Sequence, residues 1–537
     1  MNGATLAASD GGMVQVTLPP PLDQRAARWL LLGLGFATGM EFYTFDSVNL
    51  VLPDFAGSLG LSGDEASWLL TTYSSSLFLG VPVSIWFAGH VGYKHFLIGS
   101  VLMFAAASVG CALAPDLPIM LFWRAVQGFA GAGLVVWWRA SIYLLCAKAQ
   151  RSQSLMRVST MLYLSGALAL LASGPITELL NWRLIFLPNL IYAAFAVALI
   201  GRYFPSLPPP PVGRLTATDW PGIGLIALSL ICLQIVLSRG QIDDWFGSPF
   251  IRNLTFASAL SLGLFVIWQS SARNPEPLLR LDLLRDRNVV ASALIGVFTG
   301  IILSGSLYML PEYLRDVATL QLSATQTGQV MCVYALTAAA IRPLMVKAIA
   351  RVGQRKAICL ALVFLFLSMR LFSHVLTADT PRYVYFLPLV LYAFCLAPLL
   401  PAVGSGTVAR IEQNKLLDGV SLYMTFRQFG ASLGVALLTI LIDRRETLHS
   451  SRLFEHLRAN SETTHEWLLK ATSITTTRGG AALIEGRHMA MKLLGETASQ
   501  QAATLAYADA FVFMAGIAVA TLCLVPVIPP TPVAPKP

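Results

Sequence analysis

The stretch WLLLGLGFATGMEFYTFDSVNLVLP, Trp29 to Pro53, decides the fold. A bilayer span needs roughly 20 predominantly apolar residues, and this run is long enough to cross as one helix. It nevertheless carries two carboxylates, Glu41 and Asp46. Ionisable groups inside a span are costly and usually face a cavity or a partner, as in proton relays and transport paths. Two readings follow: the helix lines a path for substrate and protons, or Asp46 pairs with a buried arginine and locks two helices together. Gly33, Gly35 and Gly39 in the same run imitate a dinucleotide fingerprint, but no strand precedes them, so they point to close helix packing.

Working outward, 55% of the 537 residues are hydrophobic and only 12% are charged. Soluble domains are about 25% charged, so an all-α polytopic membrane protein is expected. The first 24 residues are polar and Pro-rich, without the apolar core of a cleavable leader, and are expected to persist as a tail. A net charge of +9 raises the question of nucleic acid. The distribution of Lys and Arg answers it. They gather in alternate loops (Arg25 and Arg28; Lys148, Arg151 and Arg157; Arg280, Arg285 and Arg287; Lys347, Arg351, Arg355 and Lys356), while 53–64 and 114–118 carry none. That is the positive-inside pattern, which predicts cytoplasmic N- and C-termini. The seven cysteines are scattered through apolar segments, and the loops hold no Walker-type, HExxH or GxSxG motif. No cofactor, metal or disulfide is therefore implied.

Fourteen spans are predicted, at 29–52, 66–88, 95–114, 118–144, 157–179, 184–204, 220–238, 250–271, 289–311, 324–349, 357–377, 383–408, 420–442 and 507–527. The long segment 443–506 lies outside in this scheme, with short amphipathic helices expected from its apolar spacing. It forms either a solvated cap or a docking surface. The Pro-rich stretch after Pro205 reads as a stiff linker and 528–537 as an irregular tail.

Several motifs, in order and at the right spacing, resemble the major facilitator superfamily, and within it the fourteen-span drug/proton antiporters of the EmrB/QacA type. FDSVNLVLP (Phe45 to Pro53) is similar to that group's LD-x-T-I-x-N-V-A-L-P, with Asp46 at its acid. LFWRAVQGFAGAG resembles R-x-x-Q-G through Arg124, Gln127 and Gly128. NWRLIFLPN (Asn181 to Asn189) resembles W-R-W-I-F-x-I-N-x-P, and Asp219, Gly222, Gly240 and Trp245 match D-x-x-G followed by G-x-x-x-x-W. LPEYLR (Leu310 to Arg315) and FRQFGASLGVAL, with Arg427, resemble two further signatures. The loop after the second span keeps only Gly92 and Lys94 of G-x-L-A-D-R-x-G-R-R. The antiporter motif of the fifth span keeps Gly166, Gly174 and Pro175, but Thr177 and Glu178 replace its closing glycines.

The resemblance implies a six-helix bundle at 29–204, two extra spans at 220–271 between linkers 205–219 and 272–288, and a second six-helix bundle at 289–527. It also implies rocking about a midplane site. The function implied is proton-driven export of lipophilic or amphiphilic toxic compounds through an inner membrane. A periplasmic membrane-fusion adaptor and an outer-membrane channel are implied partners, with 443–506 as a contact. A narrow-substrate exporter of a siderophore, fatty acid or aromatic acid is the alternative. A membrane enzyme would need clustered polar residues in the loops, which are absent, and a channel fits paired intramembrane charges less well.

A rise of about 1.5 Å per residue puts Asp46 and Arg124 at similar depth, so a pair between them is expected, with Glu41 nearer the midplane. Substrate and proton would then compete for one acid. Gln127 binds the carboxylates or substrate, or simply ties helices. Phe42 and Phe45 beside the acids, and Tyr73 in the second span, are the expected substrate contacts. Arg427 is expected to tie helix ends in preference to touching substrate, and Arg139 to snorkel beside Trp137 and Trp138. Arg342 is expected to reach headgroups or a helix carbonyl; were it and Arg370 both to face the cavity, they would favour an anionic or weak-acid substrate. Arg370 is too deep for easy snorkelling, so it faces either the cavity or a helix carbonyl.

Overall fold

The computed structural model describes residues 23–147, 150–205, 219–271, 273–274, 277–279, 281–317, 321–377, 379–408, 416–457, 462–479 and 483–527. The N-terminal tail as far as residue 22, the linker 206–218 and the tail 528–537 lie outside the described residues. Among the described residues there is no strand. The helices are α1 Gln24–Leu59, α2 Gly63–Val91, α3 Tyr93–Leu113, α4 Leu117–Leu145, α5 Arg151–Leu179 and α6 Pro188–Tyr203. Then follow α7 Trp220–Arg239, α8 Pro249–Gln269, α9 Arg287–Glu312, α10 Ala324–Val352 and α11 Gln354–Val375. The last are α12 Phe386–Val408, α13 Leu416–His456, α14 Glu462–Gly479 and α15 Leu483–Leu524.

Among the described residues, 12 helices are long and apolar enough to span a membrane. Fourteen spans were expected; α1 and α2 are not among the 12, and their interiors carry buried polar residues such as Thr38, Glu41, Thr44, Asp46, Thr71 and Ser75. Both pack inside the bundle, α1 on α4, α5 and α6 and α2 on α4 and α13. Gly35 faces Met161, and Gly39 faces Ser165 and Tyr192, so the glycine run serves helix contact.

Local signals recur at a fixed offset. Ser62 caps α2 in a reciprocal box with Glu65, and Ser323 caps α10 in the same way with Gln326. The box satisfies two backbone donors that a helix start leaves open. Gly92, between α2 and α3, and Gly353, between α10 and α11, both have φ 88°, a conformation a side chain disfavours. Each pair is 261 residues apart, the same separation as Asp54 and Arg315, which are joined by a salt bridge. The two halves are thus copies of one plan, and they meet where α5 packs on α10 and α2 on α13.

The extra helices α7 and α8 pair with each other, and α7 leans on α2 and α13. Asp219 anchors them, accepting hydrogen bonds from Gly222 N at 2.8 Å, Trp268 Nε1 at 2.6 Å, Gln269 Nε2 at 2.5 Å and Asn274 Nδ2 at 2.9 Å. The expectation of short helices across 443–506 is corrected. α13 continues unbroken to His456 and α15 begins at Leu483, so two spanning helices project as one antiparallel pair with α14 against α15. Neither 443–456 nor 483–506 contains a proline, and residues that favour helices carry each extension onward.

Candidate functional site

Glu41 and Asp46 stand five residues apart on α1, about 140° around a helix of 3.6 residues per turn. They therefore face different neighbours from one side of a central cavity between the halves. Glu41 turns toward α2, where Tyr73 Oη donates to its Oε1 at 3.4 Å. Asp46 turns toward α5 and α10. Gly166 leaves it room, since a Cβ there would stand 2.5 Å from Asp46 Oδ2, and Tyr334 of the other half lines the same cavity. Tyr73 and Tyr334 are separated by the same 261 residues that relate Asp54 to Arg315. Equivalent tyrosines of the two halves therefore converge on the acids of one helix, Tyr334 from across the cavity.

Phe42, Phe45, Tyr163, Leu303, Leu307 and Arg427 complete the cavity wall. Only about 80 Å³ is open to water-sized occupants. Ligand sites are roughly 300–1,000 Å³, so admitting a drug-sized molecule requires the halves to separate. A roomier recess of about 340 Å³ lies away from both acids, between α9, α13 and α15, and is lined by Glu312, Asp443 and Glu446.

Five expectations about charged residues need correction. Arg124 does not pair with Asp46. Its Nε donates to Leu69 O at 3.2 Å, its Nη1 to Gln127 Oε1 at 2.7 Å, and its guanidinium lies 4.3 Å from the centre of the Tyr73 ring. Equal depth said nothing about direction around the helix. Gln127 accordingly ties helices, donating to Ser108 Oγ at 2.9 Å. The same hydroxyl accepts from Asn189 Nδ2, which also donates to Thr44 Oγ1 at 2.8 Å, so the network reaches α1. Ser108 and Thr44 were not picked from sequence, because single small polar residues in apolar helices carry no spacing signal, and Asn189 was marked only as the end of the NWRLIFLPN signature. Arg370 lies outside the cavity, bonded to His374 one turn on along an exposed face of α11. Arg427 faces the cavity instead of a helix end. Arg342 reaches no headgroup: it is 1% exposed, with its guanidinium 4.9 Å from the Tyr163 ring centre. Arg139 does lie over Trp138, at 4.3 Å, yet it is turned inward, with Nη1 3.5 Å from Met424 Sδ of the other half.

At the end of the bundle where α1 stops, the halves are latched. Arg315 Nη1 bonds Asp54 Oδ2 at 2.7 Å and Leu50 O at 2.6 Å. Arg315 lies in a π-helical turn, Tyr313–Val317, that follows Pro311 in α9. Glu178 accepts from Thr325 N at 2.8 Å and Thr325 Oγ1 at 2.7 Å, at the N-terminus of α10. Gly174 packs directly on the backbone of Thr325, so the halves touch there. At the opposite end, Lys94 Nζ donates to Gly201 O at 2.7 Å, tying the start of α3 to the end of α6.

Comparison with known proteins matches residues 34–442 to the family described as Major Facilitator Superfamily. The probable multidrug resistance protein EmrY of Escherichia coli K12 is 27% identical over 81% of this chain and 84% of its own. The fatty acid resistance protein FarB of Neisseria gonorrhoeae is 25% identical over 83% and 87%, and the multidrug export protein EmrB of E. coli K12 is 23% identical over 81% and 84%. Among solved structures, the human organic anion transporter MFSD10 superposes with a TM-score of 0.55 at 15% identity, covering 93% of this chain and 100% of that one. A bacterial homologue of the lysosomal transporter Spinster also gives 0.55 at 15%, covering 94% and 98%. These structures share the fold.

Proposed function

Because the chain belongs to the Major Facilitator Superfamily, we propose that it is a proton-driven exporter of lipophilic or amphiphilic toxic compounds, working by alternating access about the central cavity. The observation that carries this reading is Asp46: a buried carboxylate of one half that shares the wall of the central cavity with Tyr334 of the other. Neutralising that carboxylate changes what it offers the opposite half, so proton binding acts on the conformational equilibrium. Glu41, beside Tyr73 on the same wall, is the second titratable group. The names of EmrY and EmrB support a broad substrate range, whereas that of FarB supports the narrower reading, a fatty acid exporter. The alternating Lys and Arg content of the loops supports cytoplasmic termini, which makes the latched end the outer one. The projecting α13–α14–α15 unit is then an extracytoplasmic contact for an adaptor. A crosslinker carried on this unit that captures no adaptor would remove that partnership.

The test of export is substrate-triggered alkalinisation of acidified inside-out vesicles, comparing wild type with Asp46→Asn and Glu41→Gln. Proton release on adding substrate, lost in one variant, supports antiport and identifies the coupling acid. Full proton-coupled export by both variants together defeats the assignment.

A further inference from the structure

We propose that the central cavity contains an anion subsite built by Arg427, Arg342 and Arg139, and that the protein takes amphiphiles whose polar end is a monoanion such as a carboxylate. The inference deepens the export reading and rests on it for the identity of the cavity. Arg427 lines the cavity wall beside Glu41 and Asp46. Arg342 reaches the same space through Tyr163, which its guanidinium covers. Arg139 lies close enough to both for the three charges to act on one another, and Arg427 is in turn within reach of Glu41.

Three features mark a ligand site more than a structural one. Among the described residues, no carboxylate forms a salt bridge with any of the three. Arg342 is 1% exposed, yet its Nε and Nη1 have no hydrogen-bond partner, and Arg427 Nε is likewise buried and unpartnered. A buried guanidinium with open donors is costly, and a planar carboxylate matches its fork. The charges also fail to cancel. Three guanidiniums against Glu41 and Asp46 leave a net positive charge even if both acids are ionised, more if either is protonated, and Arg124 behind Tyr73 adds to it. A monoanionic head reduces that excess. A cationic head would add to the imbalance in a place poorly screened by water. Beyond the arginines, Phe42, Phe45, Leu303 and Leu307 offer an apolar wall for the tail.

The test measures equilibrium binding of radiolabelled dodecanoate and dodecyltrimethylammonium to the purified full chain in nanodiscs of neutral lipid, with empty nanodiscs subtracted. The tails match, so the head alone differs. Wild type is expected to hold dodecanoate at least tenfold more tightly than the cation. Arg427→Gln and Arg342→Gln each reduce that preference about tenfold, and Arg427→Lys restores part of it. Equal or inverted affinities in wild type overturn the subsite, as does an undiminished preference in both glutamine variants. Should the variants fail to fold, the wild-type comparison decides alone. Transport is read separately in proteoliposomes. Dodecanoate that binds selectively but is never moved against its gradient sinks the export reading and leaves the subsite standing.

Discussion

At the scale of single residues, the site depends on how one helix aims two acids. Asp46 is given space by Gly166 and shares the cavity wall with Tyr334 of the other half. Gly166→Ala places a methyl group against the carboxylate and is expected to abolish substrate-driven proton flux while the protein still purifies as a folded monodisperse species, in contrast to an ordinary packing glycine. Tyr334→Phe removes the hydroxyl that the other half brings to the cavity of Asp46. Proton-coupled flux in vesicles should fall at least tenfold. The equivalent Tyr73→Phe, whose bond to Glu41 stays within one half, should cost less. Equal losses in the two would deny the cross-half tyrosine any special part. The identities of Glu41, Asp46, Phe42 and Phe45 were legible in sequence because acids in an apolar run are rare and these two rings lie beside them, whereas Tyr73 stood out only as an aromatic of the second span. Tyr334 and the inward turn of Arg427 and Arg342 were not, since helical spacing within one span is silent about which other span it meets.

At the scale of elements, two junctions invite measurement. Arg315 and Glu178 hold the latched end closed through Asp54, Leu50 and Thr325. Arg315→Ala should favour the state open at that end. A cysteine introduced at Ser304 on the cavity wall should then react faster with a membrane-impermeant maleimide applied from that side. Unchanged labelling would show that the salt bridge is incidental to gating. Asp219 joins α7 to α8, and although burial pushes its pKa up, the donors Trp268, Asn274, Gln269 and Gly222 N outweigh it and hold the carboxyl below its ordinary value. A group with a depressed folded-state pKa contributes stability that is present above its unfolded pKa and lost as pH falls through the folded one. Thermal unfolding of wild type should therefore weaken on acidification below the ordinary carboxylate range. Asp219→Ala should lose about 1–3 kcal/mol at neutral pH, from buried donors left unsatisfied, and show a shallower acid slope. The motif that contains Asp219 was visible in sequence, whereas its partners Trp268 and Asn274 lie 49 and 55 residues away and carry no mark of the contact.

At the scale of the molecule, the halves repeat one plan while α13 and α15 reach beyond it. α14 packs on α15, so replacing 457–482 with a short Gly-Ser linker should leave the bundle folded. Vesicle transport is expected to continue at a similar rate, while resistance in cells with an outer membrane drops. Loss of vesicle transport would instead assign the projection to the transport cycle. The narrow cavity adds a further requirement, because separation of the halves must precede substrate entry.

The order of apolar runs, the two acids and the loop charges lie in local sequence and sufficed for the membrane class, while the major facilitator fold was implied by the resemblance of motifs such as FDSVNLVLP and LFWRAVQGFAGAG. Even the internal repeat was present there, in Ser62 and Ser323, Gly92 and Gly353, although its 261-residue period became evident only when the folded halves were laid side by side. Tertiary structure alone decided that Arg124 turns to Tyr73 and Gln127, that Arg370 faces outward, and that Arg342 and Arg427 turn inward. The physical reason is that a helix determines depth and angular spacing within itself, about 1.5 Å and 100° per residue, but its rotation about its own axis is set by neighbours distant in the chain.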